Sequence, residues 1–448
     1  PYQSEVEAAL KTIKGVRTTD QEGMRFVELE QKVALTEEAP IIKIVASTMK
    51  AAVQARASDI HIEPQRDRVR VRFRIDGDLK EVSSFPGALQ QPIASRVKVL
   101  ANLQLDETRR PQDGRFRTQI GGRDIDFRIA TFPTPAGEKI AMRILDPTAG
   151  LKDLSGLGMN EITQATVIEG MKRPYGMILI TGPTGSGKTT TLYAMLQILN
   201  KENVNIVSLE DPVEYMVSGV NQSQVRPEIE YTFASGLRQI LRQDPDVIMV
   251  GEIRDHETAD LAVNAALTGH IVLSTLHTNN AIGIIPRLLD MGIEPYLLPS
   301  ALSLMEAQRL LGRLCDACKK AEPATAEMTR IIEQELASLP KPAQSLASQK
   351  KPFSVYRAEG CDVCNHKGIV GRVGIFEIFS ATPEIRARIR ERADTDAFLA
   401  ETKRQGIITV RQDGVIKALN GIVSMEEHQR ETKEQSPNAQ GAGELRAA

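Results

Sequence analysis

Gly182-Pro183-Thr184-Gly185-Ser186-Gly187-Lys188-Thr189 is the stretch on which the reading of this chain turns. It follows the apolar segment Met177–Thr181 and opens onto a helical pattern that begins near Lys188. The spacing G-x-x-x-x-G-K-[ST] inside a strand-to-helix frame is that of a phosphate-binding loop. Glycines let the backbone wrap a polyphosphate with its N–H groups, and the helix N-terminus adds partial positive charge. In that frame Lys188 bridges the β- and γ-phosphates of ATP and Thr189 holds Mg2+, with Thr190 completing the binding set. The bland alternative is a glycine-rich turn that happens to precede a helix.

Outward from the loop, Met177–Thr181, Asn205–Leu209, Val247–Val250 and Ile271–Thr275 are apolar strand candidates separated by helical or loop segments. That alternation predicts a mostly parallel sheet covered by helices. Hydrolysis needs a second strand ending in a carboxylate, and Asp246-Val247-Ile248-Met249-Val250-Gly251-Glu252 supplies one. Glu252 is the candidate base or water-orienting residue. A buried strand with a chance acidic end is the competing reading, against which Gly251 would let backbone and water approach the γ-phosphate closely.

Toward the N-terminus, Ile41, Ile42, Ile44, Val45, Met49, Ala52 and Val53 recur at helical spacing, and Ser58–Ile62 then alternates like a strand. Arg68–Ile75 alternates strictly, with Arg68, Arg70, Arg72 and Arg74 on one face, before an Asp76-Gly77 turn. A helix around Ile93–Leu103 and strands around Arg115–Ile120, Arg123–Ala130 and Lys139–Leu145 complete an α+β unit over residues 40–148. Asp146–Gly158 reads as a linker. Residues 1–39, with helical fragments such as Val6–Ile13, read as a linker or docking arm. The Lys/Ala/Ser/Pro-rich insert at Ser338–Pro352 and the polar tail 431–448 are expected to carry no chemistry, the tail being disordered.

A chain of 448 residues exceeds one ordinary core and predicts two or more domains. Its 56 basic and 58 acidic residues leave a net charge of only −2, so bulk electrostatics give no case for nucleic acid or an anionic membrane. No run approaches the length of a membrane span. Pro1–Leu10 has no apolar core like that of a secretory signal, so a reducing cytoplasm is the expected compartment, and a start at Pro1 suggests a truncated chain.

The four cysteines form two identical pairs, Cys315-Asp316-Ala317-Cys318 and Cys361-Asp362-Val363-Cys364. Paired C-x2-C is a zinc signature, and four thiolates would close a tetrahedral, structural site in a subdomain of about 312–372. The long spacing requires the Ala- and Lys-rich insert to loop out. Redox chemistry is the alternative.

Four blocks stand in order: the phosphate loop, Leu209-Glu210-Asp211-Pro212-Val213-Glu214-Tyr215, Gly251-Glu252-Ile253-Arg254-Asp255, and Thr268-Gly269-His270-Ile271-Val272-Leu273-Ser274-Thr275-Leu276-His277-Thr278. Together they resemble the secretion ATPase superfamily, and more narrowly the type II secretion and type IV pilus assembly ATPases, over roughly residues 40–430. The resemblance implies an α/β fold with a RecA-like P-loop ATPase domain over 149–430, carrying an inserted four-cysteine zinc subdomain and preceded by a smaller α+β domain. It implies that Glu210 and Glu214 shape the magnesium and water environment, that Glu252 is the catalytic glutamate, and that His270 and His277 sense or position the γ-phosphate, with His270 ranked first. Ser58–Pro64, Arg72–Gly77 and Arg110–Arg115 fit the same family, whose members use this domain to bring arginines to nucleotide. Arg72, Arg74, Arg110 and Arg115 are the candidates, against the alternative of a salt-bridged or solvated arginine face. His61 reads as a packed, hydrogen-bonded structural residue.

The function implied by the resemblance is that of a cytoplasmic homohexamer. Its ATP hydrolysis would drive assembly of a type II secretion pseudopilus or a type IV pilus, through an inner-membrane platform protein and associated assembly proteins. The four cysteines favour assembly over a retraction-type motor, since retraction ATPases lack them. A P-loop nucleic-acid translocase is the alternative from another class; 4% aromatic residues, no Trp and balanced charge speak against it, so no nucleic-acid partner is expected. A non-hydrolysing nucleotide-sensing scaffold is the third reading.

Overall fold

The computed structural model describes residues 39–75, 77–145, 152–347, 351–391 and 395–433, together with Val27 and Leu29. The Val6–Ile13 helical fragment, Asp76 of the expected turn, Asp146–Leu151 of the linker and the tail beyond residue 433 lie outside them. Packing divides the chain into two compact units, residues 1–150 and 151–448.

The first unit runs α1 (Ala39–Gln54), β1 (Asp59–Pro64), β2 (Arg68–Ile75), β3 (Asp78–Pro86), α2 (Gln90–Ala101), β4 (Gln112–Ile120), β5 (Arg123–Thr134) and β6 (Gly137–Leu145). Its six-stranded sheet has the order β3-β2-β1-β6-β5-β4, every neighbouring pair antiparallel. The alternation in β2 buries Val69, Val71 and Phe73 and turns the arginines outward, as one covered sheet face requires. Met49 and Val53 of α1 and Val97 and Leu100 of α2 join that core. Strand β3 escapes a periodicity search because it is a solvated edge strand, with polar residues on both faces.

The second unit runs α3 (Glu161–Met171), β7 (Gly176–Thr181), α4 (Lys188–Leu199), β8 (Ile206–Glu210), β9 (Val220–Gln224), α5 (Phe233–Ile240), β10 (Val247–Val250), α6 (His256–Leu267), β11 (Ile271–Leu276), α7 (Ile284–Asp290), α8 (Leu298–Ala301) and β12 (Leu302–Leu314). After these come β13 (Lys319–Pro323), α9 (Ala326–Ala337), β14 (Ser354–Ala358), β15 (Ile369–Ser380), α10 (Pro383–Arg390), α11 (Thr395–Gln405), α12 (Val410–Leu419) and α13 (Met425–Glu431).

Its seven-stranded sheet has the order β15-β12-β7-β11-β10-β8-β9. All neighbours are parallel except the β12–β15 pair. Strand β7 is buried at every position, sending Met177 and Leu179 into one core and Ile178 and Ile180 into another, on the opposite face. That two-sided burial explains its continuous apolar run. The parallel registers bring the C-terminal ends of β7, β11, β10 and β8 to one edge, the edge at which open α/β sheets bind ligands.

The Ala/Lys-rich insert is not a loose excursion. Leu339, Ala343 and Ala347 of the insert enter the main core, and just before it Glu335 on α9 pairs with Arg411 on α12 at 2.7 Å. β13 and β14 pair antiparallel as a separate two-stranded ribbon.

Candidate functional site

The phosphate loop bridges β7 and α4 at that C-terminal edge. Gly182, Gly185 and Gly187 all have positive φ, a region that side chains rarely adopt. A Cβ on Gly182 would lie 2.5 Å from the Gln308 carbonyl oxygen, so glycine is required there by packing as well as by backbone angle. Gly187 caps α4 without any side-chain hydrogen bond, which leaves the amides of the first turn for a ligand. Ser186 Oγ is buried without a hydrogen-bond partner. These features fit a loop shaped for a polyphosphate.

Lys188 Nζ donates to the carbonyls of Gly182 (2.8 Å) and Pro183 (3.2 Å). Burial holds its pKa below the usual lysine range; the charge of Glu252 works against that fall and the charge of Arg309 adds to it. The lysine of α4, the carboxylate beyond β10 and a guanidinium from β12 therefore share one electrostatic neighbourhood. Thr189 and Thr190 are half-buried in the first turn of α4, and Thr190 hydrogen-bonds Tyr215.

Glu252 stands two residues past β10, its side chain 14% exposed. It pairs with Arg254 Nη2 at 2.6 Å and lies 3.5 Å from His277 Nε2. Gly251 packs against the end of β8, where a Cβ would come 3.3 Å from the Leu209 carbonyl oxygen, and its own oxygen accepts from Thr275 Oγ1 at 2.8 Å. The strand end that carries Glu252 is thus fixed from both neighbouring strands.

The two histidines singled out in the sequence part company. His277 directly follows β11 and sits beside Glu252. His270 precedes β11, and the six residues of that strand make seven steps between the two, which puts them about 23 Å apart at about 3.3 Å per residue. His270 Nδ1 bonds the Ala265 carbonyl at 2.9 Å, and its own carbonyl accepts from Gly176 N, at the far end of β7 from the phosphate loop. The priority given to His270 is therefore corrected: it caps the opposite edge of the sheet.

Glu210 belongs to the C-terminal edge, at the end of the strand beside β10. It ends β8 almost fully buried, with one carboxylate oxygen accepting from Ser208 Oγ (2.6 Å) and Gln222 Nε2 (3.0 Å) and the other from the Tyr193 hydroxyl. Burial raises its pKa, and the charge of Glu214 adds to the rise. These three donors fix the orientation of its carboxylate at the strand end. Glu214 is half-buried nearby, its amide donating to Tyr193 Oη at 3.2 Å.

Two residues that sequence reasoning missed tie the site together. Gln308 on β12 donates to the Ser186 carbonyl (2.5 Å) and accepts from Thr191 Oγ1 (2.8 Å), stitching the phosphate loop to α4. Arg309, buried, donates to the Asn279 carbonyl (2.9 Å) and so holds the loop after His277. The available signal was an adjacent polar pair in a mostly apolar strand; most buried polar side chains have hydrogen-bond partners.

In the first unit Arg72 donates to Glu63 at 2.7 Å, with Arg70 (2.9 Å) and Lys139 (3.3 Å) on the same carboxylate. Burial pushes Glu63 up, but these cations outweigh it and hold its pKa at about 2. Arg74 donates to the Gly77 carbonyl at 2.7 Å and lies 3.6 Å from Asp59. Arg72 and Arg74 thus match the ion-paired alternative, whereas Arg110 and Arg115 are exposed. His61 is packed, but both ring nitrogens are buried without a hydrogen bond, and burial lowers its pKa.

The four cysteine sulfurs lie within 4.8 Å of one another, with contacts of 3.8–3.9 Å. Sulfurs on a tetrahedral ion with bonds of about 2.3 Å stand about 3.8 Å apart, so the donor set fits a closed four-thiolate metal site. Cys315 directly follows β12, and the Cys361–Cys364 turn precedes β15. Backbone amides of Cys361 (3.1 Å) and Gly368 (3.2 Å) donate to Cys364 Sγ.

The sequence model for the type II/IV secretion system protein family matches residues 34–430. Type II secretion system ATPase E of Vibrio cholerae is 46% identical over 410 residues, covering 91% of this chain and 79% of that protein. Type IV pilus assembly ATPase PilB of Myxococcus xanthus is 43% identical over 432 residues, 95% of this chain and 74% of that protein. Among solved structures, the pilus retraction motor PilT with bound ADP superposes with a TM-score of 0.60 at 27% identity, covering 91% of this chain and 99% of that one. The Legionella pneumophila ATPase DotB, at 20% identity, shares the fold with a TM-score of 0.62 over 91% of this chain and 98% of its own.

Proposed function

Because the chain belongs to the type II/IV secretion system protein family, we propose that it is the ATPase that drives assembly of a type II secretion pseudopilus or a type IV pilus. The observation that carries this reading is the convergence of Lys188, Glu252 and His277 at the C-terminal edge of a parallel sheet. In this proposal it acts as a homohexamer on an inner-membrane platform protein and its assembly partners, at the cytoplasmic face of that membrane; the names of the relatives support a place in a secretion or pilus-assembly machine. Among the described residues no helix is long and apolar enough to cross a membrane.

In this reading the amides of the 182–187 loop and Lys188 hold the phosphates of ATP. Glu252 orients and deprotonates the attacking water, and His277 fixes the orientation of the Glu252 carboxylate. Thr189 would hold Mg2+, an ion suited to hydroxyl, phosphate and water oxygens, whose contribution is to neutralise phosphate charge. Cys315, Cys318, Cys361 and Cys364 would hold Zn2+, which supplies structural closure and leaves no open coordination position. Arginines of the first unit complete charge neutralisation. Arg110 and Arg115 carry this better than Arg72 or Arg74, because Arg72 would first have to leave Glu63.

The test is Glu252→Gln, which removes the base and keeps the shape. ATP affinity should stay within a few-fold of the parent while turnover falls by roughly 100-fold or more, the usual worth of a positioned base. Unaltered turnover would remove Glu252 from the chemistry.

A further inference from the structure

Across the sheet from the nucleotide site, cationic side chains gather where α3 ends, β7 begins and β15 ends. A cavity of about 170 Å³ there is lined by Glu169, Gly170, Lys172, Arg173 and Ser380. Arg173 Nη1 is buried with no hydrogen-bond acceptor. Arg386, on α10 just beyond β15, is near enough for its charge and that of Arg173 to oppose one another, with Arg390 adding to the repulsion. Its Nε donates to the Ala381 carbonyl at 3.1 Å.

Of the nearby carboxylates, Glu169 lines the cavity but is paired with Lys172 at 3.0 Å, and Glu384 and Glu391 face arginines outside the lining, Arg404 at 3.5 Å and Arg388 at 3.6 Å. A buried guanidinium N–H without an acceptor, beside a second guanidinium, costs free energy unless an anion offsets both. The Arg173 fork and Ser380 in one lining, with the Arg386 charge near enough to add to the field, suit a tetrahedral oxyanion, and the cavity has room for one.

We propose that the cleft lined by Lys172, Arg173 and Ser380 binds a phosphate-class anion, either a free phosphate or the head group of an acidic phospholipid. The site lies beyond the N-terminal end of β7, a full strand length from the phosphate loop, and it is independent of the function proposed above.

The experiment uses the full chain carrying Lys188→Ala, which weakens phosphate binding at the nucleotide loop. Titration with inorganic phosphate in chloride buffer, and co-sedimentation with phosphatidic acid vesicles in a phosphatidylcholine background, are compared with and without Arg173→Gln. Loss of at least tenfold in phosphate affinity on Arg173→Gln supports the site and identifies free phosphate as a ligand. Arg173-dependent vesicle binding alone supports it and identifies the lipid head group. Binding that ignores Arg173 in both arms, or no binding in either, overturns it. The melting temperature of the Arg173→Gln chain in phosphate-free buffer should equal or exceed that of its parent, because an uncompensated charge has been removed; a lower value together with lost binding overturns the site in favour of a structural role for Arg173.

Discussion

Glu252 and His277 leave adjacent parallel strands at the same edge of the sheet and meet with Oε2 and Nε2 3.5 Å apart. The contact unites residues from two separate sequence blocks, and it picks out one of two histidines. His277→Ala should lower turnover by roughly 10-fold to 100-fold with little change in ATP affinity, the range expected for losing an orienting partner of a general base. His270→Ala should leave turnover within about twofold of the parent, consistent with its place at the other edge. Steady-state kinetics on the two variants check both, and the opposite ranking would restore His270.

Gln308→Ala tests whether β12 supports the phosphate loop. The substitution strands the Ser186 carbonyl and the Thr191 hydroxyl in a buried setting, which should cost about 1–3 kcal/mol of stability. ATP should bind several-fold more weakly, because the loop is no longer pinned. Thermal melting with and without ATP separates the two effects.

Glu306 is fully buried on β12, both oxygens lack a partner, and burial pushes its carboxyl up to about 8 from the ordinary value of 4.5. The folded state therefore holds a proton that the unfolded chain releases above about pH 4.5. Stability contributed by the neutral acid is complete below that pH and is lost as pH rises toward 8, by up to roughly 5 kcal/mol at about 1.4 kcal/mol per pH unit. Glu306→Leu should melt higher than the parent at pH 8.5 and differ far less at pH 5. Equal shifts at both values would exclude the protonation account.

One tightly bound zinc per chain is expected by elemental analysis of protein purified under reducing conditions. Cys361→Ser should reduce that content and lower the melting temperature, since a closed thiolate site contributes folding free energy directly. Full metal content in that variant would place the ion elsewhere.

Much of this was legible in the residues alone, and for a physical reason. The phosphate loop imposes local backbone demands that only glycines at 182, 185 and 187 satisfy, and β7 and β10 announce themselves by continuous burial. The His270 assignment failed because a motif spanning a strand contains both of its ends, and sequence proximity does not say which end faces ligand. Applying the rule that ligands sit at C-terminal strand ends would have favoured His277. Gln308 and Arg309 were overlooked because their partners, Ser186 and Asn279, are distant in the chain. The donors that orient Glu210 were hidden in the same way, since Tyr193 and Gln222 lie 17 and 12 residues from it in the chain.

Strand β12 grips the nucleotide loop at Gln308 and reaches the first thiolate at Cys315 seven positions later. A rod anchored at one end by a metal knot resists being pulled out of line at the other. Stripping the knot should therefore slacken ATP retention even though no cysteine touches nucleotide, and zinc supply would set how firmly the engine holds its fuel.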